Sequence, residues 1–386
     1  MAHNNTVLAQ LLKLIDRHDF QTLENGQFRP QRTYRALSRW GQFTTMMFAQ
    51  ITGRASLRDI SASLQAQAGR LYHLGLKPVK KSTLADANNN RTAEFFQAFF
   101  EKTYQRCGAI APGKKKFRFK NKLYSLDAST IDLCLSVFPW ARFRSAKGGI
   151  KLHAVLDHDG HIPQFASITD AKTSDLAFAR TLALPAGSIV AADRAYIDFA
   201  WLYQLNERRN YLVTRLKSNI KYRVVERRSV LKNKGLTSDQ TIILTGPKAG
   251  DCPIPLRRIG YRDPETGKQY FFLTNNFHLA AKTIADIYKD RWKIELFFKW
   301  IKQNLKIKTF LGTSRNAVMT QIWVALITML VLAYMKFLAN LGQSITQIQR
   351  LLQLNLFKRQ SLWALFERPP AKHKIDNPQK MLFDFS

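Results

Sequence analysis

The chain has 386 residues, enough for roughly two to three domains, and its hydrophobic fraction of 46% with 12% aromatic residues excludes a disordered tail. Lys and Arg number 60 against 27 Asp and Glu, a formal net charge of +33. An excess of that size repels itself in a compact state, so a polyanion, nucleic acid first, is the expected partner. Cys107, Cys134 and Cys252 lie far apart with no C-x-x-C pair, which argues against a disulfide framework and a zinc ribbon and points to a reducing compartment.

The first residues, MAHNNTVLAQLLKLIDRHD, place no basic region ahead of an apolar stretch, so no secretory leader is expected. Over 6–106 the pattern is helical. TVLAQLLKLI, YRALSRWGQFTTMMFAQI, SLRDISASLQAQ and STLADANNNRTAEFFQAFFEKTYQ each return apolar residues at three and four positions, with breaks at Gly53, Gly69, Gly75 and Pro78. Within them, 56–91 has the outline of a helix-turn-helix whose second helix opens at Ser82 as N-cap; such pairs are also common in proteins that never touch DNA. The basic segment APGKKKFRFKNK (111–122) reads as a linker.

From there the period changes to that of strands. KLYSLDAST, GIKLHAVLD and HIPQFASIT are short and rich in β-branched and aromatic residues, the last two joined by the turn His158-Asp159-Gly160. A helix over 174–182, the apolar strand SIVAAD (188–193), a helix over 199–207 and the strand YLVTRL (211–216) follow. Hairpin strands and then alternating helix and strand predict a mixed α/β sheet with helices packed on it. Between 217 and 279 the texture turns to charged, Gly- and Pro-punctuated strands such as TIILTG, LRRIGYR and KQYFFLTN, read as a β-rich insertion with a strongly positive start. Helical periodicity resumes over 280–306, 317–341 and 346–366. WVALITMLVLAYM (323–335) is apolar almost throughout, yet shorter than the roughly 20 residues of a bilayer span, and Gln321 and Lys336 bracket it. A helix buried on all sides is expected, with no membrane.

Acids are scarce, so their placement is informative. Asp127 stands inside KLYSLDAST and Asp193 ends SIVAAD just before Arg194; strand ends of open α/β sheets face crevices where ligands bind. Each alone could equally cap a turn or a helix. In YKDRWKIELFFKWIK (288–302), a helical rotation puts Arg291, Glu295 and Lys302 about 60°, 20° and 40° to one side of Tyr288, with Ile294, Phe297, Phe298, Ile301 and Leu305 opposite. An ordinary solvated face would contain the Arg291 to Glu295 pair but would not account for Tyr288 or Lys302. Two Asp on neighbouring strands and a Glu on a helix could converge on a pair of Mg²⁺ ions, about 3.5–4 Å apart, for in-line displacement at phosphorus. Arg291 and Lys302 would then hold the scissile strand against them.

The spacing Tyr288-x2-Arg291-x3-Glu295-x6-Lys302 resembles the YREK signature of the IS4-family bacterial DDE transposases, and Asp127 and Asp193 lie where the first two acids of their triad are expected. SLDASTIDL, KGGIKLHAVLD and ADRAY look like the family's catalytic blocks, with Ala195 where Gly is common; the likeness covers about 123–308. It implies an RNase H-like mixed sheet with flanking helices, a β-rich insertion and an all-helical N-terminal domain. The divisions are 1–110 for DNA binding, 111–122 as linker, 123–216 and 280–341 as catalytic core, 217–279 as insertion and 342–386 as a helical tail. It further implies catalytic and metal roles for Asp127, Asp193 and Glu295 with two Mg²⁺ per site, Mn²⁺ substituting. The partners are double-stranded DNA, as terminal inverted repeats and target, and a second copy of the chain in a synaptic complex. The reaction implied is cut-and-paste through a hairpin, in a bacterial cytoplasm on nucleoid DNA.

Trp292, near the stripe, resembles an aromatic that relatives use around a distorted DNA end; core packing is its other reading. Arg194, Lys147 and Lys151 are further candidate DNA contacts, the two lysines equally strand-edge residues. His153, His158 and His161 with Asp157 and Asp159 are read as turn residues rather than a metal cluster. No Walker A, G-x-G-x-x-G or G-x-S-x-G motif occurs. Two other functions remain open, an RNase H-like nuclease without strand transfer and a non-catalytic basic DNA-binding protein.

Overall fold

Helix starts in the N-terminal part follow from their caps. In the computed structural model, Thr6, Asp16, Ser38 and Ser56 each accept a first-turn backbone N–H and open α1 (Val7–Leu12), α2 (Arg17–Asn25), α3 (Arg39–Thr52) and α4 (Leu57–Gln65). The structure describes residues 5–31, 34–113, 116–144, 147–231, 234–304 and 309–367, the side chains of 73, 143, 144, 147 and 165 excepted. After α5 (Ala68–Leu71) and a 3-10 turn come α6 (Lys81–Asn90) and α7 (Glu94–Ala109). Ser82 is not the cap of α6, which is entered from extended Lys80 with no side-chain cap. The Ser61 hydroxyl donates to the Val79 carbonyl at 2.6 Å and fixes that entry from outside, so the helix starts earlier than local capping predicts.

The sheet begins with β1 (Leu123–Leu133), the short β2 (Arg142–Arg144), β3 (Lys147–Asp157) and β4 (Ile162–Asp170). Next come α8 (Asp175–Thr181), β5 (Ile189–Ala192), α9 (Phe199–Glu207) and β6 (Tyr211–Arg215). β3 lies antiparallel between β1 and β4, while β1, β5 and β6 are parallel. Three antiparallel strands followed by two parallel ones with helical crossovers is the RNase H-like plan expected from the sequence. The segment 217–279 contributes β7 (Tyr222–Arg228), β8 (Leu236–Leu244), β9 (Leu256–Arg262) and β10 (Gln269–Thr274). These form an antiparallel meander that joins the same sheet through β10 and β6, making ten strands in all. The terminal strand β7 exposes Arg223 and Arg227, charges that suit an edge. Arg257 and Asp239, both buried, pair through two bonds of 2.9 and 2.6 Å, and Arg257 also donates to the Leu279 carbonyl just before the next helix.

That helix is α10 (Ala281–Asp290), followed by α11 (Trp292–Asn304), α12 (Arg315–Leu338) and α13 (Ile345–Asn355). The pattern read as one helix over 280–306 is therefore two, separated at Arg291, and the helix expected to run to 366 stops at Asn355 with a later 3-10 turn. Residue 305 and the tail beyond 367 lie outside the described residues. α12 is long and apolar enough to cross a membrane by length and composition, but 94% of its most apolar window is buried inside the protein. It packs on α3, α6, α7, α13 and β4. Its buried Gln321 is satisfied by the Thr309 carbonyl and the Leu311 N–H, and Thr328 by the Val324 carbonyl, which is how polar residues are accommodated in such a helix. One apolar cluster joins the N-terminal helices, a face of β1 and β3, α11 and α12; α8 and α9 cover the opposite face.

Candidate active site

Strand alternation puts Ser125, Asp127 and Ile131 of β1 on the face covered by α10 to α12. On β5 the last registered pair with β1 is Leu126 with Ala192, so Asp193 follows directly beside Asp127 at the parallel strand end. The Asp193 carboxylate accepts the Ala195 N–H at 3.0 Å and caps a 3-10 turn, so the structural role considered for it is present as well. Ala195 is not among the residues with positive φ, so the alanine in ADRAY costs no backbone strain.

Arg291, in the break between α10 and α11, joins the first and third acids. Its guanidinium lies 3.3 Å from Asp127 Oδ2 and 2.5 Å from Glu295 Oε1, and it is largely buried. Asp127 also accepts the Ala128 N–H. Burial chiefly, with Glu295 and Asp193 adding repulsion against the lowering effects of the Ala128 N–H and Arg291, leaves the Asp127 carboxyl pushed up to about 6. Acids from residues 127, 193 and 295 thus sense one another in one place. They are not closed into a single-ion shell: the one group of three such donors within 4.8 Å among the described residues is Asp16, His18 and Asp19, on the surface. A cation, the guanidinium, stands between two of them.

The seven residues from Glu295 to Lys302 rise about 10.5 Å along α11; the three from Asp127 to Thr130 extend about 10 Å along β1. Helix and strand therefore keep pace, and Lys302 Nζ reaches the Thr130 carbonyl at 3.1 Å. Tyr288, on the last turn of α10, packs its ring 5.0 Å from that of Phe272 and under the Arg291 guanidinium at 5.6 Å, with burial raising its hydroxyl pKa. Trp292 is 57% exposed, so core packing does not explain it. Arg194 is exposed beside Asp193. Lys151 bonds the Thr173 carbonyl and pairs with Asp175 at 3.0 Å; Lys147 begins β3, and its side chain lies outside the described ones.

Two neighbours went unread in the sequence. Asp175 at the start of α8 lies 3.8 Å from the buried His153, whose ring stacks on Phe178 and whose pKa burial lowers to about 4. Tyr196 of the ADRAY block is buried with its hydroxyl unpartnered among the described residues, and its pKa is raised by burial first and then by Asp175, Asp127 and Asp193. An acid directly after a helix N-cap and a tyrosine three positions after an acid are too common to single these out. The residues of the 157–161 turn bond outward, Asp157 and Asp159 to Lys122, His158 to Asp290 and His161 to Lys293.

In a mixed sheet of this order, acids from two adjacent strands and from the facing helix lie around one guanidinium. The Transposase DDE domain family matches residues 118–331, more than half of the chain, and the chain belongs to that family. Among its relatives, an inferred transposase of Sinorhizobium fredii, y4zB, is 34% identical across 78% of this chain and 85% of its own length. Inferred transposases for insertion sequence elements IS5377 of Geobacillus stearothermophilus and IS4SA of Synechocystis sp. are 28% and 24% identical, over 70% and 80% of this chain and 70% and 87% of theirs. The protein is an insertion-sequence transposase, a DNA-binding enzyme that depends on divalent metal. Residues 3–77 match a domain family of unknown function, DUF4372. The piggyBac transposase synaptic complex with hairpin DNA aligns with a TM-score of 0.44 and 11% identity over 94% of this chain and 80% of that one, too distant to assign the fold by itself.

Proposed function

We propose that the enzyme excises and inserts its element by cut-and-paste through a hairpin intermediate, as a dimer on paired terminal inverted repeats, in the bacterial cytoplasm on nucleoid DNA. Asp127, Asp193 and Glu295 would hold two Mg²⁺, or Mn²⁺ in their place; a donor set of carboxylates without His or Cys suits a hard divalent ion. Such ions, when bound, activate the attacking oxygen and stabilise the leaving one. Before they arrive, Arg291 neutralises two of the three acids; with DNA present its fork suits a phosphate, and Lys302 adds a point charge further along the strand. Tyr288 supports the guanidinium from below. The exposed Trp292 offers a stacking surface to a base displaced when the hairpin forms, and Arg194, Lys147 and Lys151 are assigned as further DNA contacts.

Residues 1–110 are assigned to end binding, 111–122 to the linker, 123–216 with 280–341 to catalysis, 217–279 to DNA contact through its basic face, and 342–386 to the tail. The observation that carries the whole is Arg291 meeting Asp127 and Glu295 beside the Asp193 strand end. The test is cleavage of DNA bearing the sequences that flank the coding region. Asp127→Asn, Asp193→Asn and Glu295→Gln are each expected to lower Mg²⁺-dependent cutting by at least about a thousandfold while binding persists. Normal cutting by all three would leave the triad misassigned, and a pre-cut 3′-hydroxyl end that never joins plasmid DNA would leave a nuclease.

A further inference from the structure

Behind the carboxylates lies a second chain of bonds. Ser125 Oγ is 2.7 Å from His158 Nε2, and His158 Nδ1 is 2.9 Å from Asp290 Oδ2. The other Asp290 oxygen accepts Lys116 Nζ at 3.1 Å. Ser125 and His158 are sealed, at 0% and 1% exposure. The order serine, histidine, aspartate is that of a hydrolase triad, but a hydroxyl buried inside a strand receives no substrate, so a nucleophilic role is excluded.

What the chain joins is informative. Ser125 stands two residues before Asp127 on the same face of β1, about 7 Å along the strand, and Asp290 immediately precedes Arg291. Strand and helix joint are therefore stitched twice, once by Arg291 to Asp127 and once by Asp290 through His158 to Ser125. The first stitch is made of groups that change partners when metal and DNA bind. The second is made of groups shielded from both.

The turn that carries His158 is itself fixed. Gly160 and His161 are both left-handed, at φ 73° and 58°, and a Cβ on Gly160 would meet the Phe337 ring at 2.8 Å. His161 Nδ1 lies 3.0 Å from the His158 carbonyl oxygen, and its Nε2 lies 2.6 Å from Lys293 Nζ on α11. One turn thus grips α10 through Asp290 and α11 through Lys293, on either side of the break. Asp157, at its start, accepts Tyr104 of α7 and Lys122, both at 3.2 Å.

We propose that Ser125, His158 and Asp290 form a positioning device that sets the α10–α11 joint over β1, and through it the placement of Glu295 relative to Asp127. The device rests on the assignment of Asp127, Asp193 and Glu295 as the metal-holding set, so its test keeps the two apart. Full-length His158→Gln, Asp290→Asn, Ser125→Ala and Glu295→Gln variants are compared for thermal unfolding, for Mn²⁺ binding by the loss of the free-ion paramagnetic resonance signal, and for end cleavage against Mg²⁺ concentration.

His158→Gln and Asp290→Asn are expected to bind Mn²⁺ about tenfold more weakly and to need about tenfold more Mg²⁺ for half-maximal cutting, as outer partners of metal ligands do. Saturating metal restores their rate but not that of Glu295→Gln, and Ser125→Ala shifts the requirement about twofold to threefold. Folded His158→Gln and Asp290→Asn with wild-type Mn²⁺ binding and metal requirement, alongside an inactive Glu295→Gln, overturn the device alone; an active Glu295→Gln overturns the metal assignment instead. If the first two do not fold, Ser125→Ala, which leaves the His158, Asp290 and Lys116 pairs in place, decides: unchanged Mn²⁺ binding there ends the proposal.

Discussion

Asp290 ends α10 at the helix joint and Asp127 faces that joint from β1, and the two are held in opposite ways. Burial raises the carboxyl pKa of each. Around Asp127 the further neighbours include Glu295 and Asp193, and the group ends at about 6. Around Asp290, His158 and Lys116 donate directly, and the group ends well below the ordinary carboxylate range. The desolvation is shared; the supply of donors differs. One carboxylate is already satisfied by the protein, and the other is left with a demand that an outside cation can meet.

The contrast breaks first at Asp290. Asp290→Asn leaves the buried His158 and the Lys116 ammonium without their acid, a loss expected at about 2–3 kcal/mol in denaturant unfolding at neutral pH; a loss under half of that would mean the network is not structural. Asp127→Asn should have the other sign. Its folded pKa of about 6 lies above the ordinary aspartate value, so the stability associated with the protonated form is present at low pH and is lost as pH rises through about 6. Without metal, the amide is therefore expected to gain on the order of 1 kcal/mol over wild type at pH 7.5 and nothing below pH 4. A pH-independent difference in melts run in chelator would remove the electrostatic contrast. Trp292→Ala should change stability by under about 0.5 kcal/mol, being exposed, while nicking persists and hairpin formation falls; equal loss of both steps would deny the indole a base-stacking role.

Much of this was legible because the chemistry sits on regular elements. SIVAAD and KLYSLDAST announce strands with an acid where an apolar residue is the norm, and the Tyr288 to Lys302 spacing matches the pace of a strand beside a helix. The break at Arg291 was not legible: its backbone stays right-handed helical, so the residue pattern runs on while the hydrogen-bond ladder changes hands. Nor was the partner of His158, which lies 132 residues away along the chain. A histidine in a D-H-D-G turn reads as a turn residue, and a long-range bond leaves no mark on local periodicity. A weak signal existed in Asp290, an acid between Ile287 and Ile294 on the buried side of the helical pattern.

The fully packed α12 bears on how such elements diversify. Because this single rod is clasped by the N-terminal helices on one flank and the sheet on another, neither half has a finished surface of its own. Recombination that traded the N-terminal helices between related elements would need to carry a matching rod along with it, and a hybrid joined within 111–122 would present mismatched greasy faces. New DNA-end preferences in this lineage should therefore arise by drift of surface side chains rather than by swapping of modules.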